Sequence, residues 1–513
     1  MSSTSADWGL AEAGNRNDLS INDLNIRDEL QDVGIFFMGN SPNQTPSTSA
    51  AASPSPLQNA ARTIGHYRWT ICALLFFATT INYMDRQVIG YLKEFFCRST
   101  ALGGFGWSNQ DFSYLTSFFT GVYAGVTVFA GWFIDKIGTK LGLALSLIVW
   151  SICGIANAFV GGLLRMHIVV RSAFAVGEAG NFPASIKTVA EWFPKRERAL
   201  ATAIFNAGSN AGAMVAALLV PAIMIHYGDA AGWKMAYIIT GAAGFLWLIF
   251  WFWLYDSPSK HRKVTQVELD YIRVDDGPAT MQGAARTDNQ PEITWWNLFR
   301  YRQLWSFFTG KFMTDGVWWF YLFWLPDYLH KQFHMTDRQI MLPTFTVYGI
   351  AIVGSIYGGS MPMKLIERGM SVYSARMKTM LVIACVPLLV LLTQFFGNVH
   401  RFGGAAAPLA IAMICAGTTA HQAWSANLFT TVSDMFPKKN IASVTGIGTM
   451  AGGIGGVLLQ LLAGRLTDIF IRTPQTAYLV MFMVCGLSYL IAWALMKILV
   501  PRHRPITEFE FSR

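Results

Sequence analysis

The chain has 513 residues, of which 53% are hydrophobic and 13% charged. Soluble globular domains carry about 25% charged residues, so that class is excluded, as is a membrane β-barrel, which needs short alternating segments. The net charge of +9 does not mark a nucleic-acid binder, because Lys and Arg concentrate in the loops of one membrane side.

Residues 1–60 are rich in Ser, Ala, Asn, Asp and Pro and read as a disordered cytoplasmic tail. They contain no basic n-region followed by an apolar h-region, so the first span serves as the targeting signal. Met38 opens a shorter plausible reading frame. Beyond the tail come apolar blocks long enough to cross a hydrocarbon core of roughly 30 Å as helices. They fall near 69–92, 111–133, 141–161, 164–192, 199–226, 233–255, 303–329, 339–361, 376–397, 405–435, 441–470 and 475–499. The expected fold is an all-α membrane protein with twelve transmembrane helices.

An internal repeat divides these spans. EWFPKRERA at 191–199 returns as DMFPKKNIA at 434–442, and each copy closes one span and opens a Gly-rich one, NAGSNAG at 206–212 and TMAGGIG at 449–455. The expected organisation is two pseudo-symmetric six-helix bundles, 61–255 and 303–500, joined by a polar cytoplasmic linker, 256–302. A short cytoplasmic tail, 501–513, follows. Two repeated helical halves around a cleft is a common build of secondary transporters. The Lys and Arg bias puts both termini in the cytoplasm. The glycines of the two Gly-rich spans read as close-packing sites between helices.

Charges inside a bilayer are expensive, and they are usually paired or functional. In span one, TTINYMDRQVIG at 79–90 carries Asp85 and Arg86 side by side. The planar donors of Arg86 match a carboxylate bidentately; the alternative is an arginine that only neutralises Asp85. Burial and a neighbouring cation push a carboxyl group's proton affinity in opposite directions, and the sequence leaves that balance open for Asp85. In span four, Arg171 and Glu178 are two turns apart and share a face, as does His167. They are expected to pair when Glu178 is ionised and to separate when it is protonated. In span seven, Lys311 and Asp315 are four apart and can pair along one face. The repeat puts His421 in register with Glu178, with Trp424 on the same face as an aromatic surface for a ring. Tyr123, Asn210 and Thr449 add hydroxyl and amide contacts, with helix–helix hydrogen bonding as the equal alternative. Lys187 is expected to snorkel to the cytoplasmic surface. The aromatic run Trp318, Trp319, Phe320 and Trp324 reads as interface anchoring or lipid contact and is assigned no site.

The loop GWFIDKIGTK at 131–140 resembles the signature of the major facilitator superfamily. Its key positions here are Gly131, Asp135, Lys136, Gly138 and Lys140. The second-half echo, GGSMPMK at 358–364, has Met363 in place of the acid. NYMDR, RSAFAVGEAGNFPASIK at 171–187, EWFPKRERALA and AHQAWSANLFTTVSDMFP at 420–437 resemble the anion:cation symporter branch, and within it the bacterial hexuronate transporters. The resemblance covers roughly residues 65–500. It implies proton-coupled uptake of glucuronate or galacturonate across the bacterial inner membrane by a monomer without cofactor or metal. It places the substrate carboxylate on Arg86 and proton coupling on Glu178, with Asp85 and Arg171 beside it, and turns Lys311 to the substrate. The signature loop becomes the conformational switch.

Competing readings stay open. Another organic anion, such as galactonate or a small carboxylate, fits the same residues, and so does a non-transporting membrane sensor. The sequence does not choose between proton and sodium. A membrane enzyme is disfavoured, since GxxxxGK[ST], HExxH and GxSxG are absent.

Overall fold

The computed structural model describes residues 65–273, 295–436, 440–502 and 506. The expected disordered tail, the Met38 start, part of the linker and most of the C-terminal tail lie outside the described residues. Among those described, the chain is helical and has no strand. The principal helices are α1 (Tyr67–Cys97), α2 (Asn109–Ile137), α3 (Thr139–Ala156), α4 (Leu164–Glu178), α5 (Asn181–Trp192), α6 (Lys195–Leu254) and α7 (Gln266–Ile272). They continue as α8 (Arg302–Phe333), α9 (Asp337–Glu367), α10 (Val372–Cys385), α11 (Ala406–Met435), α12 (Ile441–Ile469) and α13 (Pro474–Leu499).

Local chemistry sets several of these boundaries. Ser108 starts α2 with a reciprocal capping box to Asp111, and Thr336 starts α9 the same way with Gln339, each satisfying free N-terminal donors. Span four is interrupted just after Glu178. Pro183 has no N–H for the Ala179 carbonyl, and its ring crowds that turn, so α4 and α5 are separate pieces. The 60-residue α6 is two helices merged across Gly228, whose φ of 69° and ψ of 172° suit a residue without a Cβ.

Among the described residues, eight helices are long and apolar enough to cross a membrane. The stretches at α1, α4–α5 and α8 fall outside that set, and these are the ones carrying Asp85 and Arg86, Arg171 and Glu178, and Lys311 and Asp315. The α4 and α5 pieces, 15 and 12 residues long, are each too short to cross on their own.

Packing brings α1 against α6, α2 against α12, α8 against α12, and α9 against both α6 and α11. Helices from before and after the linker thus meet along α2–α12 and α6–α9. The α2–α12 seam is not uniform. A Cβ on Gly464 would lie 2.4 Å from Ser113, and one on Gly453 would lie 2.2 Å from Ala124. Further along, a Cβ on Gly125, Gly131 or Gly446 would meet nothing within 4 Å. The two helices are in contact at the Ser113 end and apart at the Gly131 end. Gly446, expected to be a close-packing site, lies in that open part.

Gly212 and Gly208 hold α6 tight on α1, where a Cβ on Gly212 would stand 2.3 Å from the Thr80 carbonyl. That carbonyl is backbone and cannot swing away. Gly212→Ala is therefore expected to destabilise the protein by about 1–3 kcal/mol, the range for overpacking, and to lower the melting temperature of the detergent-solubilised protein. An unchanged melting temperature would show that the seam is looser than this.

Candidate functional site

About four turns into α1, Asn82, Tyr83, Asp85 and Arg86 lie within five residues of each other. Consecutive helical residues point about 100° apart, so Asp85 and Arg86 diverge. Arg86 is 1% exposed. Its Nε donates to Glu178 Oε2 at 3.0 Å and its Nη2 to Asn82 Oδ1 at 3.3 Å. The guanidinium sits among aromatic rings: Tyr83 at 4.4 Å, Tyr123 at 4.6 Å, Trp319 at 5.1 Å and Phe119 at 5.7 Å. These faces favour a cation. Trp319 belongs to α8, so the enclosure is built from both sides of the linker.

The expected partnership of Arg171 with Glu178 is corrected here. Glu178 pairs with Arg86, and its second oxygen has no hydrogen-bond partner. Arg171 instead donates through Nη2 to the Arg86 carbonyl at 2.7 Å and lies over Phe174 and Phe119. A shared helix face puts two groups in line, but Arg86 reaches Glu178 from α1 first. His167 is also apart from this cluster. It bonds Asn157 and the Gly161 carbonyl inside a cage of Phe96, Phe105, Trp107 and Trp233.

Asp85 does not share Arg86's surroundings. It is 3% exposed, and neither carboxylate oxygen has a hydrogen-bond partner. Trp150 and Thr240 stand next to it, with Arg171 nearby, so it faces the interior of α1, α3, α4 and α6 rather than a central cleft. Asp85 thus points away from the aromatic enclosure that holds Arg86.

On α8, Lys311 Nζ and Asp315 Oδ2 are 2.6 Å apart, and Lys311 lies 4.4 Å over the Phe429 ring. His421 Nδ1 meets the Tyr489 hydroxyl at 2.8 Å, and its ring stacks on Trp318 with centroids 5.1 Å apart. Trp424 is fully buried, edge-on to Tyr489, and presents no open surface in this state. Asn210 accepts from Gln422 at 3.4 Å, linking α6 to α11. The Thr449 hydroxyl is used within its own helix, donating to the Thr445 carbonyl.

The aromatic run of span seven does not anchor an interface. Trp318 and Trp319 are 9% and 8% exposed, Phe320 2% and Trp324 0%, so the run faces inward, and Trp319 supplies a wall of the Arg86 enclosure. Tyr83 and Phe119 were likewise not singled out from sequence; Tyr83 lies three residues before Arg86, close enough along a helix for the two side chains to meet.

A second buried charge cluster lies at the contacting end of the α2–α12 seam. Lys93, 0% exposed, meets Asp327 Oδ1 at 2.7 Å and Asn109 Oδ1 at 2.8 Å. Lys331 reaches Asp327 Oδ2 at 3.2 Å and Asn109 Oδ1 at 2.9 Å, and the Tyr478 hydroxyl donates to Asp327. Asn109 and Gln110 donate in turn to Asp468. Between this cluster and Arg86, Gln460 accepts from Trp324 and Thr116 and donates to the Trp319 carbonyl. Lys93 is two turns beyond Arg86, and that spacing is the signal that could have revealed it.

At the opposite end, the 131–140 loop is tied down by neighbours. Gly138 turns with φ 86° between α2 and α3. Lys136 lies over Trp132, Lys140 reaches Asp256 at 3.4 Å, and Thr139 donates to Glu191 at 2.8 Å. The Ser257 N–H and Lys140 together hold the Asp256 carboxyl below its usual range against partial desolvation. The Asp135 side chain lies outside the described residues. Lys187 donates to the Ile134 carbonyl at 3.4 Å. A cavity of about 560 Å³ opens here among Gly138, Lys140, Glu191, Arg198 and Tyr255, away from Arg86.

The chain is similar to the hexuronate transporter of Escherichia coli strain K12, at 29% identity over 85% of this chain and 95% of that one. It is similar to the D-galactonate transporter of Escherichia coli O6:H1, at 27% identity over 84% and 97%. Among solved structures it resembles a bacterial homologue of the human lysosomal transporter Spinster, in an inward-facing and unoccupied conformation. The TM-score is 0.64 at 17% identity, covering 84% of this chain and 97% of that one. Residues 75–459 match the Major Facilitator Superfamily. An all-helical fold, membrane-length helices and buried ion pairs between two sets of helices accompany that match, and the chain belongs to this superfamily of transporters, not to a family of enzymes.

Proposed function

We propose that the chain is a proton-coupled symporter that brings hexuronates, glucuronate or galacturonate, into the cell by alternating access. The observation that carries this reading is the buried Arg86–Glu178 pair, enclosed by Tyr83 and Tyr123 on one side and by Trp319 on the other. Protonation of Glu178 releases the guanidinium, and a substrate carboxylate takes its place. Ring hydroxyls then meet the tyrosines, the Trp319 face and the Lys311–Asp315 pair. Asn210, Thr449, His421 and Trp424 are engaged with other groups in this structure and would reach the substrate only once those contacts break. Asp85, behind Arg86, is a second carboxyl for the coupled proton, and Arg171 beside it stays charged throughout.

Twelve spans in two six-helix halves, 61–255 and 303–500, fit the internal repeat and the break of α6 at Gly228. The protein sits in the bacterial inner membrane with both termini cytoplasmic, supported by its bacterial relatives and the Lys and Arg bias. It acts as a monomer, the state that the superfamily resemblance implies. Gly131, Asp135, Lys136, Gly138 and Lys140 form the switch loop on the cytoplasmic side, where α2 and α12 stand apart. A second reading, a galactonate-type monocarboxylate as substrate, is favoured by the similarity to the D-galactonate transporter.

Uptake of labelled galacturonate into proteoliposomes tests the proposal. An inward proton gradient should stimulate uptake; glucuronate should block it and glucose should not. Absence of uptake by folded protein would overturn the hexuronate reading. Stronger block by galactonate than by glucuronate would favour the second.

A further inference from the structure

Lys311, Asp315 and Trp319 follow at four-residue intervals and line one face of α8. Trp319 touches the Arg86 guanidinium. At 1.5 Å of rise per residue, Asp315 lies about 6 Å along the axis from Trp319, and Lys311 about 12 Å. A six-carbon acid held on Arg86 by one end therefore brings its other end to this pair.

The pair is not symmetric. The Asp315 side chain is 18% exposed and that of Lys311 6%, so the acid is the accessible member. Its carboxylate rests on α12 at a place only glycine permits: a Cβ on Gly452 would stand 2.2 Å from Oδ2. Lys311, meanwhile, is held against Phe429.

The charges around the cleft can be counted. Asp85, Arg86, Arg171 and Glu178 sum to zero when ionised. Lys311 and Asp315 also sum to zero. Of the other polar groups facing these pairs, Tyr83, Tyr123 and Tyr489 are phenols and His421 is bonded to Tyr489. One proton on the first cluster leaves one uncompensated cation, enough for one carboxylate. A second carboxylate would find its cation already taken.

Resting on the hexuronate reading above, we infer that Asp315 is a specificity-determining residue: its carboxylate fills the place at Lys311 that the second carboxylate of a dicarboxylic sugar acid would need, and so restricts the site to monocarboxylates. The same oxygens accept hydrogen bonds from the hydroxyl that a hexuronate presents at that end.

Competition by galactarate, a dicarboxylate, against labelled glucuronate tests this in proteoliposomes. In the wild type, galactarate should compete far more weakly than glucuronate. Asp315→Asn keeps the shape and removes the charge. It should narrow the glucuronate-to-galactarate ratio by at least about tenfold, given the size of like-charge penalties at buried sites, chiefly by improving galactarate. Asp315→Ser, a second neutral replacement that keeps Lys311, serves if the asparagine variant fails to fold, and its ratio should narrow as well. Wild-type glucuronate transport with an unchanged ratio in the folded variants would overturn this inference alone. Equal competition by both acids in the wild type would also overturn it. No response of the wild type to either acid would overturn the hexuronate reading and this inference together.

Discussion

Arg86→Lys is expected to lower kcat/KM for hexuronate uptake on the order of a hundredfold, within the range of about 2–5 kcal/mol seen when one partner of a buried, hydrogen-bonded charge pair is lost. The substitution keeps the charge, so folding is less at risk than with alanine. It removes the geometry. Arg86 holds Glu178 through Nε, bonds Asn82 through Nη2 and lies between four aromatic faces. Lysine has no planar fork and cannot meet a carboxylate with two parallel donors. Initial-rate uptake at several substrate concentrations reads the effect. A variant within threefold of wild type would show that Arg86 serves Glu178 and not the substrate.

Glu178→Gln is expected to abolish accumulation and spare exchange. Coupled one proton to one substrate, a pH difference of one unit supports about tenfold accumulation. Glutamine carries no titrating proton, so that ratio should fall to about one while labelled counterflow continues. Affinity should hold or improve, because Arg86 loses its ionised competitor at 3.0 Å. Gradient-driven accumulation that survives intact would remove Glu178 from proton coupling and move the role to Asp85, whose carboxylate has no hydrogen-bond partner.

The helical architecture and most of the buried charges were legible in the sequence, because apolar length and misplaced charge are both local signals. Lys311 with Asp315 was read correctly as a pair for the same reason: four residues on one helix fix the distance. Pairings between helices were not legible. Arg171 and Glu178 share a face, yet the arginine that reaches Glu178 comes from α1. Side chains 100° apart on α1 send Asp85 into a helix bundle and Arg86 toward α8. The tryptophans of α8 were misplaced because an aromatic run looks alike whether it meets lipid or a cleft; only its neighbours distinguish them. Lys93 and Asp327 sit near the ends of their apolar runs, where charge is ordinarily unremarkable, and burial comes from Asn109 and Tyr478 on other helices.

The Lys93–Asp327–Lys331 cluster bears on how the transport cycle ends rather than on how it is driven. A buried ion pair gains little net stability over the same groups in water, since desolvation offsets the attraction. Pulling α1 and α8 apart at that end returns every member to solvent, so separation is not strongly opposed. Closing is another matter. Two ammonium groups, an amide oxygen and a carboxylate must meet in one arrangement, and a closure offset by a single residue would strand charges without partners. On the alternating-access proposal the cluster is an end stop: it gives the closed position a defined register and the moving helices a discrete place to halt.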